Sequence, residues 1–180
     1  MRVTTLATAL LMAISFNLAG QNVWTANATT AVPNFQSNGS VKTTTVDTTI
    51  HGRGIRPRFA PEGSGTSFAY IPVTAPNGST FACIGLRAMD NMASGSIRAE
   101  FIRQPRNGNA GPAVTLGSVG SVNAAGDGFQ FVTNAFGAQV INYPAFTYYI
   151  RLTFSYQGSV VAAIPSPIAL DVSLAATCTL

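Results

Sequence analysis

The stretch Phe146-Thr147-Tyr148-Tyr149-Ile150-Arg151-Leu152-Thr153-Phe154-Ser155 decides the fold. Its large apolar side chains fall at 146, 148, 150, 152 and 154, and its polar neighbours fall between them. Successive side chains of a β-strand point to opposite faces, so this period of two is the pattern of a strand with one dry face and one wet face. A helix of the same length would scatter those five apolar groups around its circumference. The polar face carries Tyr149 beside Arg151, a pairing that bears on function below.

Outward from this strand the same period recurs. Ile97, Ala99 and Phe101 alternate with Arg98 and Glu100, as in a half-buried antiparallel strand. Thr80–Met89 places Ala82, Ile84, Leu86 and Ala88 on one face, with Phe81, Cys83, Arg87 and Met89 on the other. Apolar groups on both faces mark it as central. Further strands are expected over 66–73 and 113–119, and a weaker one over 129–132 before a variable stretch to Pro144. After Gln157-Gly158 come two more runs: 160–164, broken by Pro165 and Pro167, and a last strand with Ile168, Leu170, Val172 and Leu174 directed inward. Near the start, Val41–Ile50 is β-branched and Thr-rich, as strands are. Turns fall where Pro, Gly and Asn supply the backbone angles, for example at Ala75-Pro76-Asn77-Gly78. No window shows helical spacing with caps. About eight or nine short strands with turn signals between them predict an all-β antiparallel sandwich.

Composition narrows the class further. Of 180 residues, 47% are hydrophobic and 9% charged, with ten basic and six acidic groups and a net charge of +4. Disorder pairs low hydrophobicity with high net charge, so it is excluded for the whole chain. One His and two Cys cannot build a zinc finger or an iron–sulfur cluster. The small positive excess is weak ground for nucleic acid, and no nucleic-acid motif accompanies it.

Arg2, then a mostly apolar run from Leu6 to Leu18, then small residues, form the pattern of a secretory signal peptide. The run is too short to cross a bilayer, which takes about 20 residues. Cleavage sites stand open after Ala19 or Gly20, or after Ala26-Asn27-Ala28. Gln21 occupies the place of a lipid-bearing Cys, which rules out that anchor. The expected organisation is a signal peptide over 1–20 (extending to 28 if the later site is used), a flexible polar leader over 21–40 and the sandwich over 41–180. The protein is expected outside the cytosol, secreted or periplasmic, with no membrane span.

Tyr70-Ile71-Pro72-Val73, Pro76-Asn77-Gly78-Ser79, Leu86-Arg87-Ala88-Met89-Asp90-Asn91 and Tyr148-Tyr149-Ile150-Arg151-Leu152 occur in this order. Together they resemble the single jelly-roll-like β-sandwich of many exported bacterial proteins without an assigned activity, over residues 66 to 175. The resemblance implies that fold and brings no catalytic residues with it.

Cys83 and Cys178 have two readings. One is a disulfide, favoured by export and by the even count. The other is a buried small side chain and a thiol at a frayed end. Catalytic chemistry finds little support. His51 is the only His, and no Gly-x-Ser-x-Gly elbow exists. Nothing singles out a pair among Asp47, Glu62, Asp90, Glu100, Asp127 and Asp171 for glycoside hydrolysis. Asp90-Asn91 and Gly126-Asp127-Gly128 are oxygen-bearing turns of a kind that holds calcium, but no Asp-x-Asp-x-Asp-Gly loop is present and turn chemistry is the favoured reading. No cofactor is expected.

Two groups are candidates for surface binding. Arg53, Arg56 and Arg58 cluster in one Gly/Pro loop and suit phosphate, sulfate or carboxylate groups. Among Trp24, Tyr70, Tyr143, Tyr148, Tyr149 and Tyr156, Tyr149 is the best stacking platform, with Arg151 beside it. The expected function is a secreted, non-catalytic sandwich that binds carbohydrate or matrix, or assembles with copies of itself at the cell surface, Val41–Ile50 being the strand offered for pairing. The alternative is a small extracellular polysaccharide or ester hydrolase.

Overall fold

The structure, a computed structural model, describes residues 23–33, 54–55, 65–90, 95–107, 111–121, 129–156 and 168–179. Nine strands run in chain order through them: β1 (Trp24–Asn27), β2 (Val32–Pro33), β3 (Gly65–Pro72), β4 (Thr80–Met89), β5 (Gly95–Pro105), β6 (Val114–Gly120), β7 (Gln130–Val140), β8 (Phe146–Tyr156) and β9 (Ile168–Ala175). The one helical turn among the described residues is the 3-10 turn Ala28–Thr30, capped by the Asn27 side chain accepting from Thr29 N. No helix among the described residues is long and apolar enough to cross a membrane.

The strands form two sheets, β1-β9-β4-β7 and β2-β3-β8-β5-β6, and all pairings are antiparallel. The short β2 aside, the chain pairs from its ends inward: β1 with β9, β3 with β8, β4 with β7, β5 with β6. Successive pairs alternate between the two sheets. That is the winding of a jelly roll, and the all-β sandwich read from the sequence is the observed fold.

β8 is the centre of the five-stranded sheet, and its alternation is realised side chain by side chain. Tyr148, Ile150, Leu152 and Phe154 are buried, while Tyr149, Arg151, Thr153 and Ser155 keep partial exposure. Opposite them across the core lie Ile84, Leu86, Val172 and Leu174 of the other sheet, all fully buried. Each such side chain contributes roughly 1.5–3 kcal/mol of burial, which fixes which face of each strand turns inward. An aromatic cluster closes one end. Phe101 stacks on Tyr148 at 5.9 Å and meets Phe81 edge-on at 6.4 Å, and Tyr143 stands edge-on to Tyr148 at 5.6 Å.

Gly78 and Gly117 show two ways in which a position can depend on glycine. Gly78 holds φ +87° in the Pro76–Ser79 turn, where Ser79 N donates to Pro76 O. No atom would crowd a side chain there, so the requirement is the backbone angle itself. Gly117 of β6 lies against the Phe136 ring, which occupies the space a Cβ would need.

Several expectations are corrected by the register. It shifts between Phe81 and Cys83, so Phe81 joins Ile84 and Leu86 in the core and Ala82 does not. In β9, Asp171 pairs with Arg87 but Ala169 with Ala88, leaving Leu170 as the extra residue. Beyond this bulge Ala169, not Leu170, faces the core; a slip of one residue exchanges the two faces. The weak strand at 129–132 continues to Val140 as β7. Its Ala and Gly positions hide the alternation, and as an edge strand it is mostly half-exposed. Trp24–Asn27, within the expected polar leader, is instead a strand paired with Leu174–Asp171. Trp24 and Ala26 pack on the core and Ala28 is fully buried. Ile55, in the expected irregular loop, is also fully buried and exchanges two backbone hydrogen bonds with Ala169 at 2.9 and 3.0 Å. The signal-peptide segment and the runs 41–50 and 160–164 lie outside the described residues.

Cys83 and Cys178 are joined, with their Cα atoms 5.2 Å apart. The bond ties the tail after β9 to the central strand β4 and settles the two readings in favour of the disulfide.

Candidate outer-face binding site

Antiparallel register sets the composition of the outward face of the five-stranded sheet. Residues directly opposite one another share a face. Tyr70 of β3 stands opposite Arg151 of β8, which stands opposite Glu100 of β5, which stands opposite Ser118 of β6. This row crosses four strands. On one side of it run Pro72, Tyr149 and Ile102, and on the other Phe68, Thr153 and Arg98.

The row is held by charge. Arg151 donates from Nε to Glu100 Oε2 at 2.8 Å, and its Nη2 makes an ion-pair contact with the same oxygen at 2.8 Å. The Arg98 Nε atom stands 3.7 Å from Glu100 Oε1, and Arg98 Nη2 donates to Ser118 Oγ at 3.0 Å. Glu100 is buried although it lies on an outward face, and its carboxylate is flanked by guanidinium groups from two strands. The hydrogen bond to Glu100 raises the Arg151 pKa further, against the opposing effect of burial, so this guanidinium is a fixed cation.

Aromatic groups flank the pair. The Tyr149 and Tyr70 rings meet edge to face at 5.6 Å and 71°, which fits the preferred geometry of ring pairs. Burial raises the Tyr149 phenol above its ordinary pKa; Tyr70 adds to the rise and Arg151 opposes it. Tyr149 is therefore a neutral hydroxyl at physiological pH. The Arg151 guanidinium lies 5.8 Å from the Phe68 ring centroid, within cation–π range. Three half-buried rings and a fixed ion pair thus share one surface of the sandwich, and the Thr153 hydroxyl among them is buried without a hydrogen-bond partner.

Tyr149 and Arg151, named from the sequence, stand together here. Of the other aromatic candidates, Tyr70 stands with them, and Tyr148, Tyr143 and Trp24 lie elsewhere. Tyr148 is buried in the core and Tyr143 donates from its hydroxyl to Val73 O at 2.6 Å, so both serve the closed end of the sandwich. Trp24 packs on the core from β1 and donates from Nε1 to Thr74 Oγ1 at 3.3 Å. Arg53, Arg56, Arg58, His51 and Asp127 lie outside the described residues, as does the side chain of Tyr156. Whereas Tyr70 was also a stacking candidate from the sequence, Phe68, Arg98 and Glu100 were missed as binding residues. Alternation in β3 and β5 already marks Phe68, Tyr70, Arg98 and Glu100 as sharing faces within their strands, but only the register brings the two strands to either side of β8.

The described carboxylates do not converge. Glu100 is on the outer face of one sheet, and Asp171 is on the outer face of the other, opposite Arg87. Burial raises the Asp171 pKa and Arg87 opposes the rise. Asp90 is buried and accepts from Ser121 Oγ at 2.5 Å. Among the described residues no group of three or more His, Cys, Asp or Glu side chains is placed to hold a metal ion.

No protein-family model matches the chain, and no curated protein matches it in sequence. Solved structures do. The chain is similar to the xylan-binding module CBM15, at 14% identity and a TM-score of 0.48, over 87% of this chain and 97% of that one. It is similar to the C-terminal CBM6 of LamC, a marine laminarinase of Zobellia galactanivorans, at 15% identity and a TM-score of 0.43, over 86% and 99%. It also overlaps a Podospora anserina GH26-CBM35 β-(1,4)-mannanase at 16% identity and a TM-score of 0.43; there it covers 85% of its own length but only 27% of that chain. Identity and overlap at this level say nothing of a ligand.

Proposed function

We propose that the chain is an exported, non-catalytic sandwich that binds a polysaccharide on the outer face of its five-stranded sheet. The observation that carries this reading is the placement of Phe68, Tyr70 and Tyr149, half-buried, on a face that has no part in the protein's own core. Apolar rings in that position bury their remaining area only when something is laid on them. Sugar rings present an apolar face and a rim of hydroxyls, which match the tyrosine rings and the flanking Arg151, Thr153 and Ser118 groups. The edge-to-face contact and the ion pair hold the side chains in place before a ligand arrives, which lowers the entropy lost on binding.

Export is supported by the signal-like segment and by the disulfide, a bond that persists in oxidising compartments. Cleavage after Ala28 would cut β1 away from the sandwich, so the fold favours the earlier sites at Ala19 or Gly20. Binding, rather than hydrolysis, suits a face whose one carboxylate among the described residues, Glu100, is tied up by arginine.

Affinity electrophoresis of the exported chain through gels containing individual polysaccharides tests the reading. At least one polymer should retard the protein, with no release of reducing ends. Tyr149→Ala should weaken that retardation about 10-fold, since losing a buried ring of this size removes upwards of about 1.4 kcal/mol. Full retention by the Tyr149→Ala variant would remove this face from consideration.

A further inference from the structure

Resting on that reading, we infer that the polysaccharide is acidic, and that Arg98 with Thr153 receives a carboxylate or sulfate group carried by it. Among the described residues of this face, two guanidinium groups are set against one carboxylate. Glu100 gives Oε2 to Arg151 through two contacts at 2.8 Å, and its own side chain is only 10% exposed. Arg98 is held differently. It stands 3.7 Å from Glu100 Oε1, donates once to Ser118 Oγ at 3.0 Å, and is 56% exposed. A guanidinium has five N–H donors in a fork that suits a two-oxygen anion, and Arg98, more than half exposed, gives one of them to Ser118. The face thus keeps one uncompensated positive charge, carried by its more exposed arginine.

The neighbour across the strand pair strengthens the assignment. Thr153 stands directly opposite Arg98, and its hydroxyl is buried with no partner. Leaving a buried hydroxyl unpaired is costly, and a rotation of the Thr153 side chain would turn it toward an anion bound at Arg98, which would accept from it. Tyr149 lies four residues from Thr153 along β8, about 13 Å at the strand rise. A polymer laid along β8 would meet the ring at one point and the guanidinium at another. Each chemistry then has its own place: the rings take the sugar's apolar face, and Arg98 takes its charge.

The test compares polygalacturonate, dextran sulfate and neutral dextran of matched length, with the exported full chain and two variants, by affinity electrophoresis or calorimetry. The expected result at low salt is at least 10-fold tighter binding to a charged polymer than to the neutral one. The advantage should collapse as salt approaches about 1 M, where charges are screened beyond about 3 Å. Preference for polygalacturonate would assign the group as carboxylate, and preference for dextran sulfate as sulfate. Arg98→Gln should lower affinity for the charged polymer 5- to 10-fold, a clearly larger loss than for the neutral one; Tyr149→Ala should lower both alike. An unaltered melting temperature in Arg98→Gln would show that the loss is not unfolding. Equal binding of charged and neutral polymers through Tyr149 would overturn the acidic assignment and leave the binding face standing. A charged preference that survives Arg98→Gln would overturn the role of Arg98. No retention by any polysaccharide would overturn both this inference and the reading beneath it.

Discussion

Glu100 shows how one residue can be buried on the wet side of a sheet. Its place in the alternation of β5 sends it outward, yet it is almost as hidden as a core side chain. An isolated carboxylate would not tolerate that position, because desolvation favours the neutral form. Here the cost is offset by a hydrogen bond and a second ion-pair contact from Arg151 and by the nearby Arg98. Such a pair differs from a solvated surface ion pair, for which the median contribution is about 0–1 kcal/mol. Glu100→Gln should therefore destabilise the protein by about 1–3 kcal/mol, the range for hydrogen bonds to charged groups. A double-mutant cycle with Arg151→Gln, read by urea denaturation, should give a coupling of about 1–2 kcal/mol. A coupling below about 0.3 kcal/mol would mean that the two strands are joined here by geometry alone. The same cycle bears on function, because the pair keeps Arg151 occupied and leaves Arg98 as the group free to meet a ligand.

Strands β6 and β7 belong to different sheets, and their approach at the edge of the sandwich depends on a single missing side chain. Phe136 of β7 enters the space over Gly117 of β6 and reaches Phe101 at 5.9 Å. Gly117→Ala should force that ring out of a packed position at a cost of about 1–3 kcal/mol, measured as a fall in the urea midpoint. Trimming the ring in Gly117→Ala/Phe136→Leu should recover part of the loss. Neither strand revealed this contact in its sequence. What sequence does reveal depends on how strictly an element alternates. β8 was legible because it keeps apolar and polar groups in succession, β5 because it does so from Ile97 to Phe101, and β4 because it is apolar on both sides. β7 was half-legible, since Asn134, Ala135, Gly137 and Ala138 carry no clear preference. The bulge at Leu170 was invisible, because an extra residue leaves composition unchanged while exchanging the faces. β1 was hidden by polarity: Thr25 and Asn27 face outward, and only Trp24 and Ala26 show the inward set. The site was legible in the same measure. Tyr149 and Arg151 lie on one strand and could be paired from it, whereas Tyr70, Glu100 and Arg98 join them through pairings between residues about 50 to 80 positions apart, which periodicity cannot report.

The whole molecule is a roll whose first and last strands are neighbours. β1 and β4 flank β9 on either side, so the N-terminal strand and the C-terminal strand hold each other in the four-stranded sheet. β1 contributes only four residues and β9 eight. A terminal strand of this kind is where a sandwich would open first, because fraying there exposes few contacts at each step. The disulfide counters that tendency. Cys83 belongs to β4 and pairs across the sheet with Ala175, the last residue of β9; Cys178 follows three residues later and returns to Cys83. The bond thus fastens β9 at the end where its pairing stops, and through β9 it steadies β1 and the buried Ala28. Its sequence separation of 95 residues encloses most of the sandwich. In the chain-entropy account a loop of that size contributes about 4–5 kcal/mol. For a domain of this length, replacing both cysteines by alanine should lower the melting temperature on the order of 10–15 °C, as should reduction of the unaltered protein, and calorimetry reads either. The loss should be global, with β9 losing amide-exchange protection before β8, because β8 is flanked by β3 and β5 and owes nothing to the bond. An unchanged melting temperature under reductant would mean that the β4–β9 ladder alone holds the terminus, and that the sandwich reaches its stability without the covalent link.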